Sequence, residues 1–174
     1  MFQAFAEYTG DTDIFNMDTE EKFRSGMSGK ALLNGMYRFF KIEDIDKWNK
    51  IVEAGFPAYK GRIDVFGYDW LGRVFAMNKA TNTVLLFEPG TGEVLDIPAN
   101  FKDFHNVEIA EYHEDSLASA FFEEWFEEND NYILDNRQCA GYKVPLFLNG
   151  EDDVENLEVS DMEVYWGIMT QLMP

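Results

Sequence analysis

The chain has 174 residues, with 33 Asp and Glu against 14 Lys and Arg, and its formal net charge is −19 at pH 7. Nucleic acids and anionic membrane surfaces are held mainly by Lys and Arg, so this balance argues against both as partners. The hydrophobic content of 46% excludes an intrinsically disordered chain. No linker or internal repeat interrupts the sequence, and residues 1–174 are predicted to form one globular domain.

The cysteine content and the N-terminus bear on where the protein works. Cys139 is the single cysteine, which rules out an intrachain disulfide and fits a reducing compartment. The first residues contain no cationic stretch followed by an apolar run, and no window reaches about 18 consecutive apolar residues. We therefore expect a cytoplasmic protein without a signal peptide or a membrane span.

The first half of the chain predicts one helix and a series of hairpins. Apolar residues recur at spacings of three and four over residues 42–54, which indicates one face of a helix that ends before Gly55 and Pro57. Four short segments rich in β-branched and aromatic residues follow, and turn residues separate them. These segments, 63–66, 73–77, 83–88 and 93–97, are predicted to be consecutive antiparallel strands.

The second half returns to helical periodicity. Residues 107–128 place Leu117, Phe121 and Trp125 on one apolar stripe, which predicts a single long helix. A last helix is predicted to begin at Ser160, because Glu163 follows three residues later and the pair can form a capping box. The order of elements predicts an α+β fold, a mostly antiparallel sheet formed by a strand meander with helices packed on one side.

The negative charge is concentrated in the second half of the chain. Residues 1–87 hold 12 acids and 11 bases, whereas residues 88–174 hold 21 acids and only three bases, Lys102, Arg137 and Lys143. An acidic run can simply solvate a helix, or it can dock a basic partner whose approach it accelerates. Charge alone leaves both interpretations open.

The common catalytic motifs are absent. The sequence has no Walker A loop, no G-x-G-x-x-G after a strand, no G-x-S-x-G and no H-E-x-x-H. Cys139 could form a nucleophile and base pair with His105 or His113, which leaves a thiol hydrolase as the weakest of the hypotheses. The two histidines are eight residues apart, too far for two metal ligands on one helix face.

The acidic segment 149–156 alternates oxygen-bearing side chains as a calcium loop does. Its sixth residue is Val154 where an EF-hand needs Gly, and the twelfth is Ser160 where a bidentate Glu is needed. We therefore predict a solvated turn without a metal ion. Lys143, a lone base nearby, is expected to pair with a carboxylate.

Two aromatic segments remain, at 68–73 and 141–148, and core packing is their simplest interpretation. The runs FGYDWLGRVFA at 66–76 and FEPGTGEV at 87–94 resemble the GAD-like region of bacterial polymorphic-toxin immunity proteins. The runs CAGYKVPLFLNGED at 139–152 and NLEVSDMEVYW at 156–166 resemble the C-terminal region of type VI secretion immunity proteins that protect against a DNase effector, and more distantly the SUKH superfamily. The similarity assigns residues 35–105 to the GAD-like part and residues 106–174 to the immunity-type part.

This resemblance implies a SUKH-like fold and a protein that binds and neutralises a cognate toxin without catalytic residues, cofactor or metal. Together with the charge asymmetry it predicts an acidic surface that grips a basic toxin, most simply a nuclease. The alternative is a regulatory or scaffold binding module of the SUKH type. Under the toxin hypothesis the candidate binding residues are Glu123, Glu124, Glu127, Glu128 and Asp130, with a second group of Glu151, Asp152 and Asp153.

Overall fold

A computed structural model describes all residues from Met1 to Pro174. Six strands form one antiparallel sheet in which each strand pairs with the next along the chain. A second sheet holds two more antiparallel strands. The α+β fold and the strand meander are thereby confirmed. In chain order the strands are β1 Ala31–Leu32, β2 Tyr37–Phe39, β3 Ile63–Asp69, β4 Val74–Asn78, β5 Val84–Glu88, β6 Glu93–Ile97, β7 Gln138–Tyr142 and β8 Leu157–Asp161.

The central strands of the large sheet are buried on both faces. Along β4, Phe75 and Met77 lie in one apolar cluster, while Val74 and Ala76 lie in another. Successive side chains of a strand point to opposite faces, so each cluster is the core on one side of the sheet. A sheet with two apolar faces needs cover on both.

Helices therefore lie on both faces, and the expectation that they pack on one side is wrong. The first face is covered by α1 Gln3–Thr9, α2 Glu20–Met27 and the α4 Phe101–Asp103 segment, which continues as a π-helix over Phe104–Ile109. The second face is covered by α3 Ile45–Gly55 and α7 Met162–Leu172, whose Trp48 and Trp166 meet edge to face. The N-terminal residues 1–34, which the resemblance left unexplained, supply much of the cover on the first face.

The local predictions of the first half are confirmed. The helix predicted over 42–54 is α3, with a 3₁₀ turn at Ile42–Asp44 before it. The four predicted strands are β3 to β6, and β3 is longer than expected because it extends to Asp69. None of the helices is both long and apolar enough to cross a membrane.

The single helix predicted over 107–128 is wrong, because the chain turns twice there. The π-helix ends at Ile109, α5 spans His113–Leu117, and α6 spans Ser119–Glu128. Between α5 and α6, Ala118 adopts a left-handed conformation with φ of 50°. The Glu114 carboxylate accepts the Ala120 N–H at 2.8 Å and so satisfies a free amide at the start of α6.

The left-handed turn at Ala118 predicts a stabilising substitution. We expect Ala118→Gly to raise the free energy of unfolding by up to about 1 kcal/mol, because a Cβ is strained at this φ and Gly is not. Urea denaturation measures the change. Ala120→Gly, at a helical position two residues on, is the matched control and should lower the free energy of unfolding by up to about 1 kcal/mol. Equal effects of the two substitutions would contradict the strain at Ala118.

The cap of the last helix lies one residue later than predicted. Asp161, rather than Ser160, accepts the N–H of Val164 at 3.0 Å and caps α7. Ser160 lies in β8 opposite Cys139 and cannot serve as the cap. The capping box is therefore wrong although the helix is confirmed.

Candidate functional site

The carboxylates of α6 and the turn after it are free. All five candidate residues in this region are exposed, and none forms an ion pair with a Lys or Arg of the chain. The opposite side of α6 buries Phe122 and Trp125 in the core of the first face. The helix is thus fixed by its apolar side and leaves its negative charges in solvent. These residues are Glu123, Glu124, Glu127, Glu128 and Asp130.

The charges of α6 oppose the stability of the helix that carries them. Glu123 and Glu127, and likewise Glu124 and Glu128, are like-charged pairs four residues apart, which repel each other on a helix surface. Glu127 and Glu128 also lie in the last turn, where the helix dipole favours cations, and no basic residue lies there. The glutamates are therefore not explained by helix formation.

The second candidate group lies on the turn before β8. Asp152 accepts the Tyr142 hydroxyl at 2.6 Å, and Asp153 accepts the N–H of Asn156 at 3.0 Å to begin a 3₁₀ turn. Glu151 is exposed and makes no ion pair. Lys143 donates to the backbone carbonyl of Glu155 at 2.7 Å, so the expectation that it pairs with a carboxylate is wrong.

The two candidate groups lie on neighbouring elements. The 3₁₀ turn Val154–Asn156 packs against α6, with Val154 against the core of the first face. Phe121 of α6 and Asp152 of the turn line the same cavity. We call the eight candidate carboxylates on these two elements the acidic surface. Its members are Glu123, Glu124, Glu127, Glu128, Asp130, Glu151, Asp152 and Asp153.

The β3–β4 hairpin holds α6 in place. The indole N–H of Trp70 donates to the Leu117 carbonyl at 2.9 Å, and Arg73 donates to the Ser116 carbonyl at 3.2 Å. Both acceptors lie in the last residues of α5, directly before Ala118. Trp70 is fully buried and packs against Phe121, Phe122 and Trp125 of α6. The packing interpretation of this aromatic segment is correct, and the segment also positions the acidic surface.

A buried ion network lies inside the same hairpin. Asp69 is fully buried and accepts the Arg73 Nε at 2.6 Å, together with the N–H groups of Leu71 and Arg73. Arg73 also donates to Glu88 at 3.0 Å. Burial raises the pKa of the Asp69 carboxyl, and the Arg73 guanidinium works against that rise. The network ties β3, β4 and β5 together at their ends.

A larger cavity of about 500 Å³ lies elsewhere, between α3 and the start of α7. Its wall carries Lys47, which bonds Glu163 at 2.6 Å and lies 3.6 Å from Asp44. Its floor is aromatic, with Trp48 and Tyr68 both buried. Three cations and four carboxylates line the cavity, so its charges almost balance.

The two histidines and the cysteine do not meet. Cys139 lies in the core of the second face, whereas His105 lies on the first face, where it bonds Tyr37 and the Phe101 carbonyl. Burial raises the pKa of the Cys139 thiol to about 12, which keeps it protonated and unreactive. His113 bonds Ser119 at 2.7 Å and forms no hydrogen bond with the thiol. The pairing of Cys139 with a histidine as nucleophile and base is therefore wrong.

One polar cluster at the start of α6 was not predicted from the sequence. Ser119 bonds both His113, at 2.7 Å, and the Glu114 carboxylate, at 2.8 Å, at the start of α6. The hydroxyl lies between the other two groups, whereas a catalytic triad places the histidine in the middle. Hydrogen bonds from Ala120 and Ser119 lower the pKa of Glu114. These contacts cap the start of α6. The three side chains come together because the chain breaks at Ala118, between α5 and α6.

Residues 99–173 match the family model described as T6SS immunity protein Tdi1, C-terminal. The matched region contains α6, the second sheet, α7 and all eight carboxylates of the acidic surface. The match supports the prediction of a type VI secretion immunity protein that binds a toxin. The GAD-like and SUKH resemblances stay predictions.

A solved structure shares the fold. The crystal structure of Atu4351 from Agrobacterium tumefaciens is similar to this chain with a TM-score of 0.66 and 18% sequence identity. The similarity covers 99% of this chain and 81% of that one, so the two share an overall fold. No curated protein sequence matches the chain.

Proposed function

We propose that the protein is a cytoplasmic immunity protein that neutralises a cognate nuclease toxin through its acidic surface. The observation that carries the proposal is that all eight carboxylates of this surface lack an ion pair within the chain. The second half of the chain holds only three bases, so few cations are available there to neutralise them. The surface therefore keeps its full negative potential for a partner.

A nuclease toxin is the partner class that such a surface fits. A nuclease holds phosphates with Lys and Arg, so its substrate groove carries positive potential. An acidic protein can occupy that groove or dock beside it and exclude the nucleic acid. Complementary potentials raise association rates by roughly 10 to 10³-fold at low salt, which favours capture of a toxin before it reaches DNA.

The electrostatic mechanism predicts that reversing charges on α6 weakens toxin binding without lowering the stability of the protein. We expect the triple variant Glu124→Lys, Glu127→Lys and Glu128→Lys to bind the toxin with an association rate at least about tenfold lower at low salt. The same variant should unfold at equal or higher urea concentration, because it turns the repulsion between positions 123 and 127 into an attraction, leaves positions 124 and 128 like-charged as before, and places cations at the C-terminus of α6. Surface plasmon resonance with a catalytically inactive variant of the cognate toxin measures the rates.

A matched control changes the net charge by the same amount elsewhere. Glu21, Glu43 and Asp46 are exposed and unpaired, and their reversal to Lys should slow association much less. Salt at about 0.5 M should bring the wild type close to the α6 variant, because it screens exposed charges beyond a few ångströms. Equal effects of the two triple variants would overturn the role of the acidic surface. Binding without protection of toxin-expressing cells would favour the scaffold alternative.

A further inference from the structure

A second cavity, of about 240 Å³, opens between the two parts of the acidic surface. Its walls come from the β5–β6 turn, the start of α6 and the segment that leads into the acidic turn. Leu146 fixes one wall by donating its N–H to the Gly90 carbonyl at 2.9 Å. The cavity is lined by Arg73, Glu88, Gly90, Phe121, Tyr142, Asp152 and Tyr165, among others.

The charges around this cavity do not balance. Arg73 is the one cation, and each of its three nitrogens already donates, to Asp69, Glu88 and the Ser116 carbonyl. Three carboxylates, those of Asp69, Glu88 and Asp152, accompany that single guanidinium. One oxygen of Asp152 accepts the Tyr142 hydroxyl, and the other accepts nothing from the chain. The second oxygen of Glu88 has only a weak 3.5 Å contact with Thr91.

The cavity also contains unused hydrogen-bonding capacity on a buried group. The Tyr165 side chain is only 3% exposed, and its oxygen accepts one long bond, 3.4 Å from the Tyr142 N–H. Its remaining lone pair accepts nothing from the chain and can accept an N–H of a ligand, while its own proton is left for water. A Cβ on Gly90 would stand 2.6 Å from the Tyr142 ring and 3.0 Å from this hydroxyl, so the glycine allows both aromatic side chains to approach the β5–β6 turn. A buried polar group left in this state calls for a polar ligand or water.

The remaining walls suit a long, flat cation. Phe121, Tyr142 and Tyr165 present aromatic surfaces, on which a guanidinium plane stacks while its alkyl stem packs. A Lys or Arg side chain buries its stem and places its charge at the polar end. The carboxylates of Glu88 and Asp152 provide that polar end.

We infer that this cavity receives an arginine side chain of the toxin, whose guanidinium binds the free oxygens of Asp152 and Glu88. The inference rests on the proposed function and specifies its contact: the acidic surface steers the toxin, and this cavity anchors it. Buried anchors near the centre of an interface carry most of the binding free energy, and arginine is enriched among them.

The first experiment needs no toxin. Arginine amide is titrated to millimolar concentration into the ¹⁵N-labelled protein, with citrulline amide as the neutral isosteric control. We expect arginine amide to shift the backbone amides of Gly90, Thr91 and Tyr142, and citrulline amide to leave them in place. Asp152→Asn, which keeps an oxygen for the Tyr142 hydroxyl, should abolish the shifts. Equal shifts from both amides, or none from either, would overturn the inference.

The second experiment separates the anchor from the steering charge. Asp152→Asn and its neighbour Asp153→Asn change the net charge equally, but only Asp152 lines the cavity. With the inactive toxin we expect Asp152→Asn to speed dissociation at least about tenfold, because a desolvated charge pair acts on the dissociation rate. Asp153→Asn should change mainly the association rate. If the toxin binds and both variants dissociate alike, the anchor is wrong while the proposed function stands; if no toxin binds, the proposed function fails.

Discussion

Arg73→Met is expected to lower the free energy of unfolding by about 3 to 5 kcal/mol, because it leaves a buried carboxylate without its cation. Asp69 is fully buried, and Arg73 is the single cation paired with its carboxylate, at 2.6 Å. Removing the guanidinium also frees the Ser116 carbonyl that it binds ahead of α6. Urea denaturation at 10 °C measures the loss. Hydrogen exchange should show faster opening of the amides of residues 116–122.

The double variant Asp69→Asn, Arg73→Met tests the physical cause. The amide side chain introduced at position 69 keeps an oxygen for the backbone N–H groups of residues 71 and 73 without carrying a charge, so the double variant should recover part of the lost stability. If Arg73→Met alone lowers the free energy of unfolding by less than about 1 kcal/mol, the unpaired buried carboxylate is not the cause of the instability. Lys22→Met removes a cation from an exposed pair with Asp18 and serves as the control, with an expected change below about 1 kcal/mol.

Acidification is expected to destabilise the protein through His105. The Nδ1 atom of His105 lies 2.7 Å from the Phe101 carbonyl, which can only accept, so Nδ1 carries the proton and Nε2 accepts the Tyr37 hydroxyl at 3.0 Å. The imidazole is fully buried among Phe5, Phe23 and other aromatic rings. Burial lowers the pKa of His105 from 6.5 to about 3, because a charged ring has no solvent there.

The direction of the pH effect follows from this shift. Below pH 6.5 the unfolded chain binds a proton at this histidine that the folded chain rejects, so stability is complete above pH 6.5 and is lost as the pH falls toward 3. The slope attributable to His105 is about 1.4 kcal/mol per pH unit, and the whole range amounts to roughly 5 kcal/mol.

The contribution of His105 is measured against a variant that cannot titrate. Urea denaturation of the wild type and of His105→Asn between pH 7 and 5 should show stability falling more steeply in the wild type, by about one proton per molecule. Chemical shifts of the folded protein should report a neutral His105 ring down to about pH 4. Parallel pH profiles for the two proteins would contradict the assignment.

Local sequence patterns predicted the elements that have a regular apolar spacing and clear turn residues at their ends. The helix α3 carries its apolar residues at helical spacing, and strands β3 to β6 are separated by turn residues that few other conformations would accept. The exposure of Glu123, Glu124, Glu127 and Glu128 also followed, because they fall off the apolar stripe of α6. These features depend on residues within one turn or one hairpin of each other.

Other features depend on distant residues and have no local signal. The strands β7 and β8 were missed because their pairing joins Cys139 to Ser160 across an intervening loop. Gly141 is needed in β7 because a Cβ there would come within 2.6 Å of the Tyr165 ring on α7. The apolar pattern of 107–128 continues through Ala118, whose left-handed turn is set by hydrogen bonds from Trp70 and Arg73 on the hairpin to the residues before it.

The sequence by itself determined the composition of the acidic surface and the α+β class, because net charge and hydrophobic period are properties of the chain alone. Tertiary structure decided that the sheet is covered on both faces, that Cys139 and the histidines are kept apart, and that Glu88 and Asp152 line one cavity. The reason is that burial and proximity depend on contacts between residues far apart in the chain, which no local pattern encodes.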